Sequence, residues 1–151
     1  MDELNIYSFQ GDAMPDHSIR VAVMGCGHIG SYAVKAVQLA PDMTLCGILE
    51  LDCRVEELRC QYPGVPIAET VDELPQKPDV IILCTPTRSV EGIASGILAM
   101  GISTVDCFDM HGDPFIHLKT TLDPIARTNN CSAVMGAGVD PGISTMIRAL
   151  F

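Results

Sequence analysis

From Ile19 onward, short apolar runs alternate with longer stretches in which apolar positions recur every third or fourth residue. The run "IRVAVMG" is β-branched and ends in glycine. After it, Ile29, Ala33, Ala36, Val37 and Ala40 stand at helical spacing until Pro41 stops the pattern. Residues 43–50, "MTLCGILE", predict a second strand, and residues 54–62 predict a helix ended by Pro63-Gly64. A short strand around Ile67 and an acidic turn over residues 71–74 lead to "DVIILC", residues 79–84. Its apolar centre suits a strand buried on both faces of a parallel sheet. A helix over residues 90–100, ended by Gly101, precedes the strand "STVDCF". Asp113 is then placed to cap, and Pro114 to open, a helix running to about residue 130. A sixth strand, "SAVMG", and a Gly-rich turn follow. Six strands alternating with helices predict an α/β protein, a doubly wound and mostly parallel sheet over residues 19–151.

Composition narrows the class. With 48% hydrophobic and 19% charged residues, the chain is too apolar to stay disordered. Its longest uncharged run, residues 92–105, is broken by Gly96 and Gly101 and falls short of the roughly 20 apolar residues that span a bilayer. Residues 1–18 carry Asp2 and Glu3 where a secretory signal is basic, and they are expected to form a loose leader. Seven cysteines make an odd set without a CxxC pair, which favours reduced, buried thiols and a cytoplasmic protein over a disulfide framework. A net charge of -10 repels phosphate backbones and anionic lipid heads, so neither nucleic acid nor membrane is an expected partner.

The first candidate site is "GCGHIG", residues 25–30, directly after a strand and opening a helix. Gly25 lets the chain turn tightly, Gly27 lets the backbone approach a pyrophosphate, and Gly30 lets helix and sheet pack closely. His28 and Ile29 belong to the same turn, whose helix N-terminus offers free N–H groups to phosphates. These features predict a Rossmann-type dinucleotide-binding domain. Glu50, twenty positions after Gly30, ends the second strand where a carboxylate accepts hydrogen bonds from a ribose 2′-OH and repels a 2′-phosphate. On that ground the expected cofactor is NAD rather than NADP, with Asp52 as the alternative contact. Cys84, Thr85, Pro86 and Thr87 follow the fourth strand at its carboxyl end and are placed to border the nicotinamide ribose. Arg88 is either a clamp for a substrate carboxylate or a solvated loop residue.

The second candidate site is a pair of aspartates. Asp106 ends the fifth strand, and Asp140 is expected to end the sixth in the same sense, between Gly138 and Pro141-Gly142. Parallel strands present their carboxyl ends on one edge, so both carboxylates are expected near each other and near the nicotinamide. Two carboxylates there suit a substrate carrying an ammonium group, one of them taking its proton as hydride leaves the carbon. The spacing of Asp106, Asp109, His111 and Asp113 fits no dedicated metal loop, and no metal is expected.

At these residues the chain resembles the meso-diaminopimelate dehydrogenase family. The likeness runs through "IRVAVMGCGHIG", "LCTPTRSV", "GISTVDCFDMHGD", "LDPIAR", "AGVDPG" and "MIRALF", from Ile19 to Phe151. The resemblance implies NADP-dependent oxidative deamination of a diamino acid to a 2-oxo acid and ammonium, on the route to lysine and cell-wall precursors. It implies that Asp106 and Asp140 contact the amine of a small amino-acid substrate, and it implies a homo-oligomer. Three departures stand out. Val139 occupies the place of a family tryptophan, and Leu51-Asp52 replace paired arginines that take the 2′-phosphate. The family's second domain, which supplies substrate pocket and dimer interface, is the third: the chain stops within the apolar stretch "ISTMIRALF" and is expected to be cut short before it. The alternatives are a nucleotide-binding module without catalysis and a dehydrogenase of a related diamino acid.

Overall fold

The computed structural model describes residues 18–151, so the expected leader lies outside the described residues apart from Ser18. Its elements follow the alternation of the sequence. They are β1 (Ile19–Met24), α1 (His28–Leu39), β2 (Met43–Leu49), α2 (Asp52–Gln61), β3 (Ile67–Ala68), β4 (Val80–Leu83), α3 (Thr87–Ala99), β5 (Ser103–Asp106), α4 (Asp113–Thr128), β6 (Ala133–Val134) and α5 (Ile143–Leu150). The acidic turn is a single 3-10 turn, Val71–Glu73. The strands form one parallel sheet in the order β3-β2-β1-β4-β5-β6. That order reverses between β1 and β4, the switch point outside which doubly wound sheets bind ligands.

Period-two alternation sends neighbouring strand residues to opposite faces. Val23 and Ile48 pack with Val34, Val55 and Leu58 of α1 and α2. Ala22, Leu49, Ile81 and Leu83 pack with Val90, Ala94 and Leu98 of α3 and with Leu118 and Leu122 of α4. Burial on both faces explains why these strands read as unbroken apolar runs.

Several boundaries differ from those expected, each for a local reason. Helix α3 starts at Thr87 rather than at residue 90: Pro86, with φ -55° and ψ 136°, is the N-cap, and its carbonyl accepts from the amide of Ser89 at 2.8 Å. Helix α2 likewise starts at Asp52, two residues early. Asp113 does not cap α4. Gly112 takes that place with φ 71° and ψ -134°, a conformation open to glycine, and Asp113 becomes the first helical residue, where its charge favours the helix N-terminus. Strand β6 is only two residues long, since the chain leaves the sheet at Gly136 with φ 64°. Asp140 therefore does not end the sixth strand; it lies six residues further on, in the turn that enters α5.

Candidate functional site

Beyond Met24 the chain turns through Gly25, with φ 85°, where an added Cβ would stand 2.7 Å from the carbonyl oxygen of Cys84. A Cβ on Gly30 would stand 1.9 Å from the carbonyl of Gly25, so the helix rests directly on the turn. Gly27 is different in kind: a Cβ there would meet nothing within 4 Å. The first bond of α1 runs from the amide of Ser31 to the carbonyl of Gly27 at 3.0 Å. The amides of His28, Ile29 and Gly30 precede it and have no protein acceptor among the described residues. Open space over Gly27 beside free amides is the arrangement that accepts a pyrophosphate.

This turn forms one wall of a cleft of about 530 Å³ whose lining includes Gly27, Glu50, Arg54, Thr70, Thr85 and Pro86. Gly25 and Cys84 line it too. The hydroxyl of Thr85 is buried without a hydrogen-bond partner, an orphan that a bound ribose or amide would satisfy. The residues present therefore fit a dinucleotide. Thr87 faces a neighbouring hollow of about 430 Å³ with Pro86, Arg88, Asp109 and Met110, and its hydroxyl donates to Asp109 Oδ1 at 2.6 Å. Arg88 is exposed there and has no carboxylate partner among the described ion pairs.

Glu50 stands just past β2, as expected, but its carboxylate turns back on the glycine turn. Oε2 accepts from the amide of Cys26 at 2.8 Å and from Nη1 of Arg54 at 3.1 Å, and Oε1 accepts from the amide of Leu51 at 3.1 Å. The same Nη1 donates to the carbonyl of Cys26 at 3.3 Å. The thiol of Cys84 lies behind the turn, where burial first, and then the neighbouring Cys107 and Cys26, push its pKa up to about 11.

The two aspartates of the second site differ sharply in exposure. Asp106 is fully buried. Its Oδ1 accepts from the amides of Phe108 at 2.9 Å and Gly136 at 3.0 Å, and its own carbonyl accepts from Ala137 at 2.7 Å. It thus ties the loop after β5 to the segment after β6, while Oδ2 has no partner. Asp140 is exposed, with 43% of its side chain accessible. Oδ1 accepts from the hydroxyl of Ser144 at 2.6 Å, and Oδ2 faces Arg148 at 3.5 Å. Nε2 of His111 is 4.0 Å from Oδ1. The Ser144 hydroxyl first, then Arg148 and His111, hold the Asp140 carboxyl below its ordinary range. Gly142 enforces the turn: at φ 127° its added Cβ would stand 2.0 Å from the carbonyl of Gly138. Among the described residues, no cluster of three or more His, Cys, Asp or Glu side chains is gathered to hold a metal.

Comparison with known proteins bears on this geometry. Residues 19–106 match the oxidoreductase family with an NAD-binding Rossmann fold. The chain belongs to that family. Within it, the chain is 39% identical over 132 residues to the meso-diaminopimelate D-dehydrogenase of Bacteroides fragilis, covering 87% of this chain and 43% of the relative. It is 30% identical over 131 residues to the enzyme of that name from Corynebacterium glutamicum, covering 87% and 39%. The solved structure of the C. glutamicum diaminopimelate dehydrogenase in complex with diaminopimelate superposes with a TM-score of 0.72 at 26% identity, over 88% of this chain and 40% of that one. The chain thus spans about two fifths of the length of the curated relatives it matches.

In this family member the glycine turn, the acidic residue after β2 and the segment after β4 come together at one sheet edge. Sequence reasoning missed Arg54, whose position four residues after Glu50 at the start of a helix was the available signal. It also missed the Thr87–Asp109 bond and the Ser144 and Arg148 contacts to Asp140. Those depend on loops meeting in space and leave no periodic trace. Of the seven cysteines, all free, Cys26 and Cys46 are buried as expected, whereas Cys53 and Cys60 are exposed on α2.

Proposed function

We propose that this chain is the nucleotide-binding part of an NAD(P)-dependent dehydrogenase that oxidatively deaminates a diamino acid of the meso-diaminopimelate type to a 2-oxo acid and ammonium. The observation that carries this reading is the open, amide-lined space over Gly27 at the carboxyl edge of a sheet whose next loops carry Asp106 and Asp140. When bound, the nicotinamide supplies a hydride acceptor. Gly27, His28, Ile29 and Gly30 hold the pyrophosphate through backbone amides, and Thr85, with Cys84, Pro86 and Thr87 around it, receives the ribose beside the nicotinamide. Asp140, kept ionised by Ser144 and Arg148, holds the substrate ammonium. Asp106, sealed from solvent, acts at one remove by tying the loop after β5 to the segment that leads to Asp140. Arg54 offsets the charge of Glu50, so the repulsion on which a preference for NAD rested is weakened, and NADP is admitted beside NAD. The setting is cytoplasmic and the working form a homo-oligomer. For the described residues, no helix is long and apolar enough to cross a membrane.

The test is calorimetric titration of the chain with NAD and NADP, beside the Gly27→Ala variant. The alanine methyl enters empty space, so the fold is retained while the pyrophosphate is displaced. Binding by the wild type and a loss of tenfold or more in the variant, about 1.4 kcal/mol, support the reading. A wild type that binds neither nucleotide, or a variant that binds as well as the wild type, overturns it. Nicotinamide reduction on adding meso-diaminopimelate to the same samples would favour the dehydrogenase over a nucleotide-binding module without catalysis.

A further inference from the structure

In dinucleotide-binding folds an acidic residue after the second strand commonly accepts from the adenosine ribose. Here that residue is already engaged. A carboxylate has about four acceptor positions. Glu50 spends three of them inside the protein, on the Cys26 amide, the Arg54 guanidinium and the Leu51 amide. One position remains, too few for paired ribose hydroxyls, and the Glu50 side chain is only 9% exposed.

We propose that Glu50 and Arg54 act together as a clamp on the Cys26 peptide groups, positioning the pyrophosphate turn rather than reading the ribose. The argument is geometric. Cys26 lies between two glycines, Gly25 and Gly27, which leave the turn with more backbone freedom than any other pair of residues would. Glu50 holds the Cys26 amide at 2.8 Å, which fixes the peptide plane before Cys26. Arg54 holds the Cys26 carbonyl at 3.3 Å, which fixes the plane after it and so aims the amide of Gly27. Arg54 is itself braced by Glu57 at 3.6 Å, and the Cys26 side chain is buried beneath the turn among Val23, Val34 and Leu58. A turn held on three sides keeps its amides aligned before any ligand arrives, and an aligned turn loses less freedom on binding.

The inference rests on the nucleotide-binding reading above, and the experiment keeps the two apart. NAD, NADP, ADP and AMP are titrated into the wild type, Glu50→Gln and Arg54→Met, and hydrogen exchange of the Cys26 amide is followed in the same proteins without nucleotide. The clamp predicts that Arg54→Met weakens NAD, NADP and ADP by a common factor of about ten, leaves AMP, which lacks the pyrophosphate, nearly unchanged, and speeds exchange at the Cys26 amide while Val21 and Val23 of β1 stay protected. Loss confined to NADP in Arg54→Met overturns the clamp in favour of a 2′-phosphate contact. Loss confined to NAD in Glu50→Gln overturns it in favour of a ribose contact. Unchanged affinity for all four, or unchanged exchange at Cys26, overturns it as well. If the wild type binds no nucleotide, the functional reading fails and the exchange measurement alone decides the clamp.

Discussion

Cys84 shows how one buried group reports on its surroundings. Its thiol titrates at about 11 rather than 9.0, chiefly because burial disfavours the thiolate and secondarily because Cys107 and Cys26 are close. The sign follows directly. The folded state favours the neutral thiol, so the contribution to stability is intact below pH 9.0 and is lost as pH rises toward about 11. Alkylation with iodoacetamide near neutral pH is expected to label the exposed Cys53 and Cys60 and to spare Cys84, with labelling of Cys84 rising only in alkali. Peptide mass spectrometry checks the order, and equal labelling of Cys84 and Cys53 would refute the burial argument. Gly30 supplies a second residue-scale outcome. Because its Cβ would stand 1.9 Å from the Gly25 carbonyl, Gly30→Ala is expected to cost about 1–3 kcal/mol in chemical denaturation, whereas Gly27→Ala is expected to cost almost nothing.

At the scale of elements, the joint between β5 and β6 hangs on one carboxylate. Asp106 collects the amides of Phe108 and Gly136, both in buried positions, and removing it leaves those donors without acceptors. Asp106→Ala is therefore expected to destabilise by about 1–3 kcal/mol for each orphaned amide, and Asp106→Asn, which keeps one carbonyl acceptor, by less. Thermal melts of the two variants test this, and an equal loss in both would show that the Oδ1 bonds are not what matters. The short β6 has a related cause. Pairing with β5 covers only Thr104 to Ala133 and Val105 to Val134, after which the chain is drawn across to Asp106 instead of continuing in the sheet.

For the molecule as a whole, two surfaces set its behaviour in solution. Ile143, Met146, Ile147 and Leu150 recur at helical spacing along α5 and are between 50% and 80% exposed, an apolar stripe with no partner among the described residues. Concentration-dependent association is expected in sedimentation velocity, and Ile147→Glu with Leu150→Lys is expected to reduce it. The second surface is the opposite edge of the sheet, where Arg20 and Asp79 pair. The Arg20 hydrogen bond holds the Asp79 carboxyl below 3.8, so its contribution is present above that value and is lost as pH falls through the folded pKa. Melting temperature against pH is expected to fall less steeply in acid for Arg20→Ala than for the wild type.

Much of this was legible in the sequence, because it is local or periodic. Short apolar runs specified the strands, helical spacing specified α1, stop and capping residues bounded the later helices, and the glycines of "GCGHIG" marked the turn, since each satisfies a constraint set by its immediate neighbours. The position of Glu50 at the end of β2 followed in the same way. What Glu50 touches did not. Its partners Cys26 and Arg54 are brought to it by a turn and a helix start, and a carboxylate bonds the donors that packing sets within reach. Likewise, Asp106 and Asp140 read alike in one dimension, yet packing sealed the first and a glycine turn left the second in solvent. Local pattern suffices for the elements, their order along the chain and the glycine turn; which side chains are free to meet a ligand is settled in three dimensions, because burial and hydrogen-bond partners come from contacts between segments distant along the chain.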